Sequence, residues 1–366
     1  MIGREERRTP LLEMHEELGA KLTEFGGWSM PLQYGGVIAE HNAVRTSVGI
    51  FDVSHLGKLR VVGDQGGEAL QRAVTADVHA LEVGAARYAL VLTHKGGTID
   101  DVFVYRIGDV EWLVVPNAAN NEAVFQAISS AGHDPIDEWA DWAILAIQGP
   151  DSFDLFDRVF PGSGATDLKL HRWKTVDVMG EEGIVARTGY TGERGFELYA
   201  PASSAPQAFK ALLDAGGAPV GLGARDTLRL EMGFALYGHE LTTEINPLEA
   251  GLGWAVAWDA PFRGKDALDA VRSEGPERKL FGVVCSDKGV PRQDHAVAHE
   301  GREIGRLTSG NFSPTLGAGI GLALGPASAA PAEGAEVVVT ARNRSIAAAI
   351  VKPPFIKKGS GGQDDK

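Results

Sequence analysis

The stretch RYALVLTHKGGTIDDVFVYRIGDVEWLVVP, residues 87–116, holds three runs rich in β-branched and aromatic residues: RYALVLT, TIDDVFVYRI and EWLVVP. Such runs read as strands, and the turn at His94 to Gly97 joins the first two as a hairpin. Upstream, LRVVG leads into DQGGEALQRAVTADV, a helix for which Asp64 is the expected cap. Downstream, NAANNEAVFQAISSAG reads as a second helix. The order strand, helix, three strands, helix predicts an α+β unit with its helices on one face of an antiparallel sheet.

Two carboxylates, Asp100 and Asp101, interrupt the middle strand. Strands deplete aspartate, so the pair calls for a reason. Period-two alternation places Asp101 with Ile99, Phe103 and Tyr105, and Asp100 with Thr98, Val102 and Val104. Only one of them then projects into any one pocket. A solvated strand start that assists the turn is the plain alternative.

Outward from this unit, RTPLLEMHEELGAKL reads as a helix capped by Thr9, with Pro10 in its first turn and Gly19 as its stop. AILAIQGPDSFDLFDRVF gives a strand and then a helix. KTVDVM, GIVARTGYTGERGFELYA, SAPQAFKALLDAG and GARDTLRLEMGFAL continue the alternation. After about residue 278 the chain becomes strand-rich, with KLFGVVCS, EIGRLTSG, GIGLALG, EVVVTARN and SIAAAIVKP. These short runs separated by Gly and Pro predict a small β sandwich or barrel. The tail KKGSGGQDDK is expected to be disordered.

The 366 residues are too many for one core and suggest two or three domains. The net charge of −14 argues against a nucleic-acid partner. No apolar run reaches the roughly 18–20 residues that span a bilayer, so no membrane partner is expected. MIGREERRTP lacks the apolar segment of a secretory signal, and Cys285 is the one cysteine, so the expected compartment is cytoplasmic.

Several familiar chemistries are excluded. LGAGIGLALG (316–325) lacks the G-x-G-x-x-G spacing, and GLGARD lacks the ending of a phosphate loop. The ten histidines show no metal-ligand spacing, so no metal is expected, and His55 and His239 read as satisfied polar residues. No G-x-S-x-G elbow is present.

Four segments resist a plain reading. GGTIDD carries the paired aspartates. RTGYTGERGFELYA is a glycine-rich loop feeding a strand in which Glu197 and Tyr199 face opposite to Phe196 and Leu198. Glu197 is either exposed or a carboxylate fork for a guanidine-like edge, such as a pterin presents. In VPNAANN, Asn117 is either an N-cap or an amide for a heteroaromatic ligand. In GLGARDTLRLEMG, Arg225 opens a helix and either pairs with Asp226 or another carboxylate, or meets substrate.

Together these segments resemble the aminomethyltransferases, the T-proteins of the glycine cleavage system. The likeness runs from RTPLLEMHEELGAKLTEFGGWSMP to VKPPF and includes AVRTSVGIFDVSHLGKL, AIQGP, NPLEAGLGWAV and LTSGNFSPTLGAGIGLA. It implies transfer of the methylene carbon of S-aminomethyl-dihydrolipoyl H-protein to tetrahydrofolate as co-substrate. The products are 5,10-methylenetetrahydrofolate, ammonia and the dihydrolipoyl arm. The implied fold is an α+β three-domain cloverleaf, with two interleaved α+β domains around a central folate channel and a C-terminal β domain. On that basis residues 1–55 with 145–240 form the first domain, 56–144 with 241–277 the second, and 278–356 the third; 357–366 is the tail. The resemblance implies Asp101 as the catalytic carboxylate, Glu197 as the pterin anchor and Arg225 as a substrate contact. It places Tyr88, Asn117 and Tyr190 along the folate site. It also implies lipoylated H-protein as a transient partner, and the other components of the system as indirect ones. A residue that relatives place near the C-terminus to contact substrate has no match here beyond the neighbouring Lys357 and Lys358, and Leu56 stands where Met is common. Two rivals share the scaffold. One is a folate-dependent demethylase, weakened by the lack of a flavin domain. The other is a non-catalytic folate-binding module, whose K-G-C-x-x-G-Q-E type signature this chain lacks.

Overall fold

The computed structural model describes residues 6–341 and 344–357. The expected disordered tail therefore lies, apart from Lys357, outside the described residues, as does Lys358.

Two large sheets are interleaved along the chain. The strand Gly49–Asp52 lies inside a six-stranded sheet ordered Trp173–Val178, Glu181–Ala186, Gly195–Pro201, Trp142–Gln148, Gly49–Asp52, Ala218–Val220. All its pairs are antiparallel except the last, which joins Ala218–Val220 to Gly49–Asp52 in parallel. The chain between its first two strands builds a five-stranded antiparallel sheet ordered Ala86–Leu92, Thr98–Gly108, Glu111–Val115, Leu59–Val62, Ile136–Asp137. The division expected between residues 144 and 145 falls inside the strand Trp142–Gln148, which lies wholly in the six-stranded sheet.

Alternation decides what each sheet face meets. Phe196 and Leu198 pack on the helices Ser152–Val159 and Ala205–Asp214 in one core with Phe156 and Phe209. Burying each such side chain contributes about 1.5–3 kcal/mol. On the opposite face, Tyr199, Phe51 and Ile144 form a cluster with Tyr105, Leu113 and Val115 of the five-stranded sheet. The two sheets thus face one another, and the helices Gly63–Ala73 and Asn121–Ser129 cover the far side of the second.

The C-terminal runs form a closed six-stranded barrel in which Arg278–Cys285 pairs with both Ala318–Pro326 and Arg344–Val351. This settles barrel over sandwich, and adds the strand Ala296–His299, too short to stand out by composition. The helix Leu222–Glu231 docks on the barrel. Leu230 packs against Ile320 and Leu322, Arg229 donates to Ser309 Oγ (2.8 Å), and the Ser313 hydroxyl donates to Glu231.

Three local expectations change. Val62, not Asp64, is the N-cap of Gly63–Ala73, and Leu11, not Thr9, that of Leu12–Glu17; Thr9 Oγ1 instead donates to Asp52 at 2.6 Å. The hairpin register slips between Val91 and Leu92, so that Leu92 pairs with Thr98 and Ile99 is left over. Ile99 accordingly packs with Val102 and Val104 toward the helices rather than beside Asp101. The hairpin itself is wedged: a Cβ on Gly97 would lie 1.8 Å from the Thr243 carbonyl oxygen. Among the described residues no helix is long and apolar enough to cross a membrane.

Candidate active site

Between the facing sheets, roofed by the helix Leu222–Glu231, the following loop and the edge of the barrel, lies a cavity of about 850 Å³. Its wall includes Tyr88, Asp101, Asn117, Tyr190, Glu197 and Arg225, all six residues singled out from the sequence. Four come from strands or strand ends of the two sheets, Tyr190 from the glycine-rich loop, and Arg225 from the helix.

Asp101 is held by two donors. The Tyr88 hydroxyl donates to Oδ2 at 3.0 Å, and Asn117 Nδ2 donates to Oδ1 at 2.9 Å. Burial pushes its carboxyl above the ordinary range, against the pull of these bonds and of Arg225. Asp100 is fully buried and does not line the cavity, so the solvated strand start is excluded for it. Its oxygens accept from Asn117 N (2.9 Å), Asn117 Nδ2 (2.9 Å) and Asn120 Nδ2 (2.6 Å). Asn117 begins a 3-10 turn, yet its side chain makes no cap bond; its amide nitrogen serves both aspartates instead.

Glu197 is 8 % exposed, which excludes the exposed alternative. The Thr188 hydroxyl donates to it, and burial raises its pKa in spite of Thr188 and Arg225. Arg225 forms no ion pair or side-chain hydrogen bond among the described residues. The Arg225–Asp226 pair, one of the alternatives left open by the sequence, does not form; Arg229 takes Asp226 at 2.9 Å, along with Glu240 at 3.1 Å. The Arg225 guanidinium lies over the Tyr190 ring, 4.7 Å from its centroid. Tyr190 is pinned by donating its hydroxyl proton to the Ala235 carbonyl and by stacking on Phe234. In this mostly apolar cavity Asp101, Glu197 and Arg225 stand near one another, and none of the three forms an ion pair among the described residues. Such groups can bond the polar edges of a flat heteroaromatic ligand.

Two further residues were not found from the sequence. His55 is 2 % exposed, lines the cavity, and leaves its buried Nδ1 without a partner, contrary to the satisfied residue expected. Burial and then Arg225 push its pKa down to about 3, so it is neutral near pH 7. His239 does meet that expectation, through Nδ1 and the Thr308 carbonyl at 2.8 Å. Trp254, 69 % exposed at the rim, stacks on Tyr88 at 5.5 Å. Nothing in its local pattern marks it, since the contact is made across about 165 residues of chain. Among the described residues no group of three or more His, Cys, Asp or Glu is arranged to hold a metal ion.

The model of the GCVT N-terminal domain matches residues 11–260, and that of the glycine cleavage T-protein C-terminal barrel domain matches residues 278–357. The aminomethyltransferase of Halothermothrix orenii is 44% identical over 96% of this chain and 100% of its own length. That of Rubrobacter xylanophilus is 46% identical over 96% of this chain and 95% of its own. The crystal structure of glycine cleavage system aminomethyltransferase T from Bartonella henselae superposes with a TM-score of 0.90 at 32% identity, covering 97% of this chain and 99% of that one.

Proposed function

The chain belongs to the glycine cleavage T-protein family, and from that membership we infer that it is the aminomethyltransferase of this system. It passes the methylene carbon of S-aminomethyl-dihydrolipoyl H-protein to tetrahydrofolate, releasing ammonia and the dihydrolipoyl arm. The observation that carries the reading at the level of residues is the cavity in which Asp101, Glu197 and Arg225 meet without neutralising one another.

In this reading Asp101 is the catalytic carboxylate. Its two oxygens are oriented by Tyr88 and Asn117, so its negative charge is fixed in direction before substrate arrives. A carboxylate so placed steers a proton and stabilises positive charge as it develops on the transferred carbon–nitrogen unit. Glu197, anchored on one oxygen by Thr188, offers the other to the amino-amide edge of the pterin. Arg225, free of any carboxylate, contacts substrate from the face of Tyr190. Folate supplies the one-carbon chemistry, and the protein supplies position and electrostatics.

H-protein is the partner, and its engagement is transient, with an interface below about 1,200 Å². Cytoplasmic action accords with the single cysteine. We also propose the three-domain division of the chain, with the second boundary moved ahead of Trp142 to keep its strand whole.

The test is to incubate the purified protein with tetrahydrofolate and aminomethylated H-protein, measuring ammonia and 5,10-methylenetetrahydrofolate. Turnover that needs a free small N-methyl donor instead of H-protein would replace this reading with the demethylase one.

A further inference from the structure

Asp100 has no part in the chemistry described so far, yet it is among the most enclosed carboxyl groups of the protein, at 0 % exposure. It adjoins a second carboxyl, Asp101, which is half-buried in the cavity wall, and the same Asn117 nitrogen lies 2.9 Å from an oxygen of each. Neither group forms an ion pair among the described residues. Two adjacent carboxylates, one of them sealed from water, do not both ionise readily; coupled pairs of this kind share a proton.

The contacts indicate which member carries it. Both carboxyls accept amide N–H bonds, but Asp101 opens on the cavity, accepts from the Tyr88 hydroxyl and feels the Arg225 cation, which favour its anion. Asp100 is sealed at 0 % exposure, with no cation among the described residues paired to it. Asp100 lies 2.6 Å from the side-chain amide of Asn120. A contact of that length accommodates an O–H donor as well as an N–H. Turning the Asn120 amide by half a revolution exchanges its oxygen and nitrogen without moving a heavy atom. The Asp100 acid proton then donates from Oδ1 to Asn120 Oδ1, while Oδ2 still accepts from the Asn117 backbone N–H.

We propose that Asp100 is a positioning residue held as the neutral acid, so that the Asp100–Asp101 pair carries one negative charge and Asn117 fixes that charge on Asp101 at the cavity. The proposal rests on the reading of Asp101 as the reacting carboxylate. The remaining groups that face the pair are consistent with it. Tyr88, Tyr190 and Tyr237 all have pKa values raised by burial and then remain neutral, and Arg225 is the cation acting on Asp101. Burial and the Asp101 charge likewise push the Asp100 carboxyl well above its ordinary value. Asn is the neutral mimic of a protonated Asp, so Asp100→Asn keeps both the shape and the charge of the pair.

The test is pH-dependent difference infrared spectroscopy of the free protein, which reads the C=O stretch of a buried protonated carboxyl by its deuterium shift. The band is expected in the wild type at neutral pH and absent from Asp100→Asn. In Asp101→Asn, where the like charge is gone, it should disappear at lower pH than in the wild type. In steady-state assays Asp100→Asn should retain turnover within about fivefold at neutral pH and lose the alkaline limb of the pH–rate profile. Absence of the band from the wild type, or its persistence in Asp100→Asn, overturns the proposal; so does a band in Asp101→Asn that titrates where the wild type does. If Asp100→Asn does not fold, the wild-type and Asp101→Asn spectra decide alone. Because the spectra need no substrate, a wild type that shows the band but does not turn over removes the functional reading and leaves the shared proton standing.

Discussion

Arg225 rests on the face of Tyr190, its guanidinium carbon 4.7 Å from the ring centroid, while the neighbouring Asp226 is held by Arg229 at 2.9 Å. This cation at the cavity wall is therefore stabilised by an aromatic ring and has no ion-pair partner among the described residues. Burial depresses its pKa, although nearby Tyr190, Glu197 and Asp101 oppose the shift. Replacing it with an apolar residue should weaken tetrahydrofolate binding by about tenfold or more. Thermal stability of Arg225→Met should hold or rise. A loss near the 3–5 kcal/mol of a broken buried ion pair would show that the guanidinium is structural after all.

Asp101→Asn should lower turnover by about 10² or more, the scale of general acid–base catalysis, with folate affinity largely kept. Ammonia release and a binding titration on the same preparation separate the two effects. Undiminished turnover would remove Asp101 from the mechanism.

Glu197→Ala should raise the dissociation constant for tetrahydrofolate by roughly 10–100-fold, because a ligand N–H loses its acceptor inside an apolar cavity at about 1–3 kcal/mol. Thr188 loses an acceptor as well, so a melting curve belongs beside the titration. An unchanged dissociation constant would refute the anchoring role.

His55, and then Asp52 with Glu231, each withdraw stability as pH falls, in successive ranges. His55 is neutral in the fold down to about pH 3 but takes up a proton near 6.5 when unfolded, so the unfolded state binds more protons between those values. Stability then falls with decreasing pH, by at most about 1.4 kcal/mol per pH unit for this one group. Asp52 and Glu231 have folded pKa values of about 2, so their contribution, present above the unfolded carboxyl range, is lost as pH falls from there toward 2. Chemical denaturation across pH should show the wild type losing stability relative to His55→Gln between about 6.5 and the carboxyl range, with the fall below that range common to both.

Gly97→Ala should cost about 1–3 kcal/mol, because its Cβ would sit 1.8 Å from the Thr243 carbonyl oxygen and backbone would have to move. A denaturation midpoint equal to that of the wild type would contradict the close approach.

Much of this arrangement is legible locally. The three strands of residues 87–116, the strand-rich C-terminus and the opposed faces of Phe196 and Glu197 follow from period and composition alone. The residues singled out by family resemblance line one cavity. What the sequence does not disclose is set across the chain. The bulge at Ile99 depends on how two strands register, and alternation assumed an unbroken ladder. The double duty of the Asn117 amide arises because a strand end lies beside two aspartates on the neighbouring strand. His55 looked ordinary because its unpartnered nitrogen is a property of its surroundings. That Asp226 pairs with Arg229 and not with Arg225 shows only in the fold, where Glu240 and the barrel's Ser309 also meet Arg229.

The interleaving of the two large sheets sets a timetable for synthesis. Every strand of the five-stranded sheet lies between Leu59 and Asp137, so this unit has all its partners soon after it leaves the ribosome. Gly49–Asp52 is made earlier but pairs only with Trp142–Gln148 and Ala218–Val220, both of which come later. At roughly 5–20 residues per second, this apolar strand waits several seconds with both edges bare. A nascent chain with about 140 residues clear of the ribosome would therefore present one folded unit and one exposed strand, the species a holdase chaperone has reason to bind.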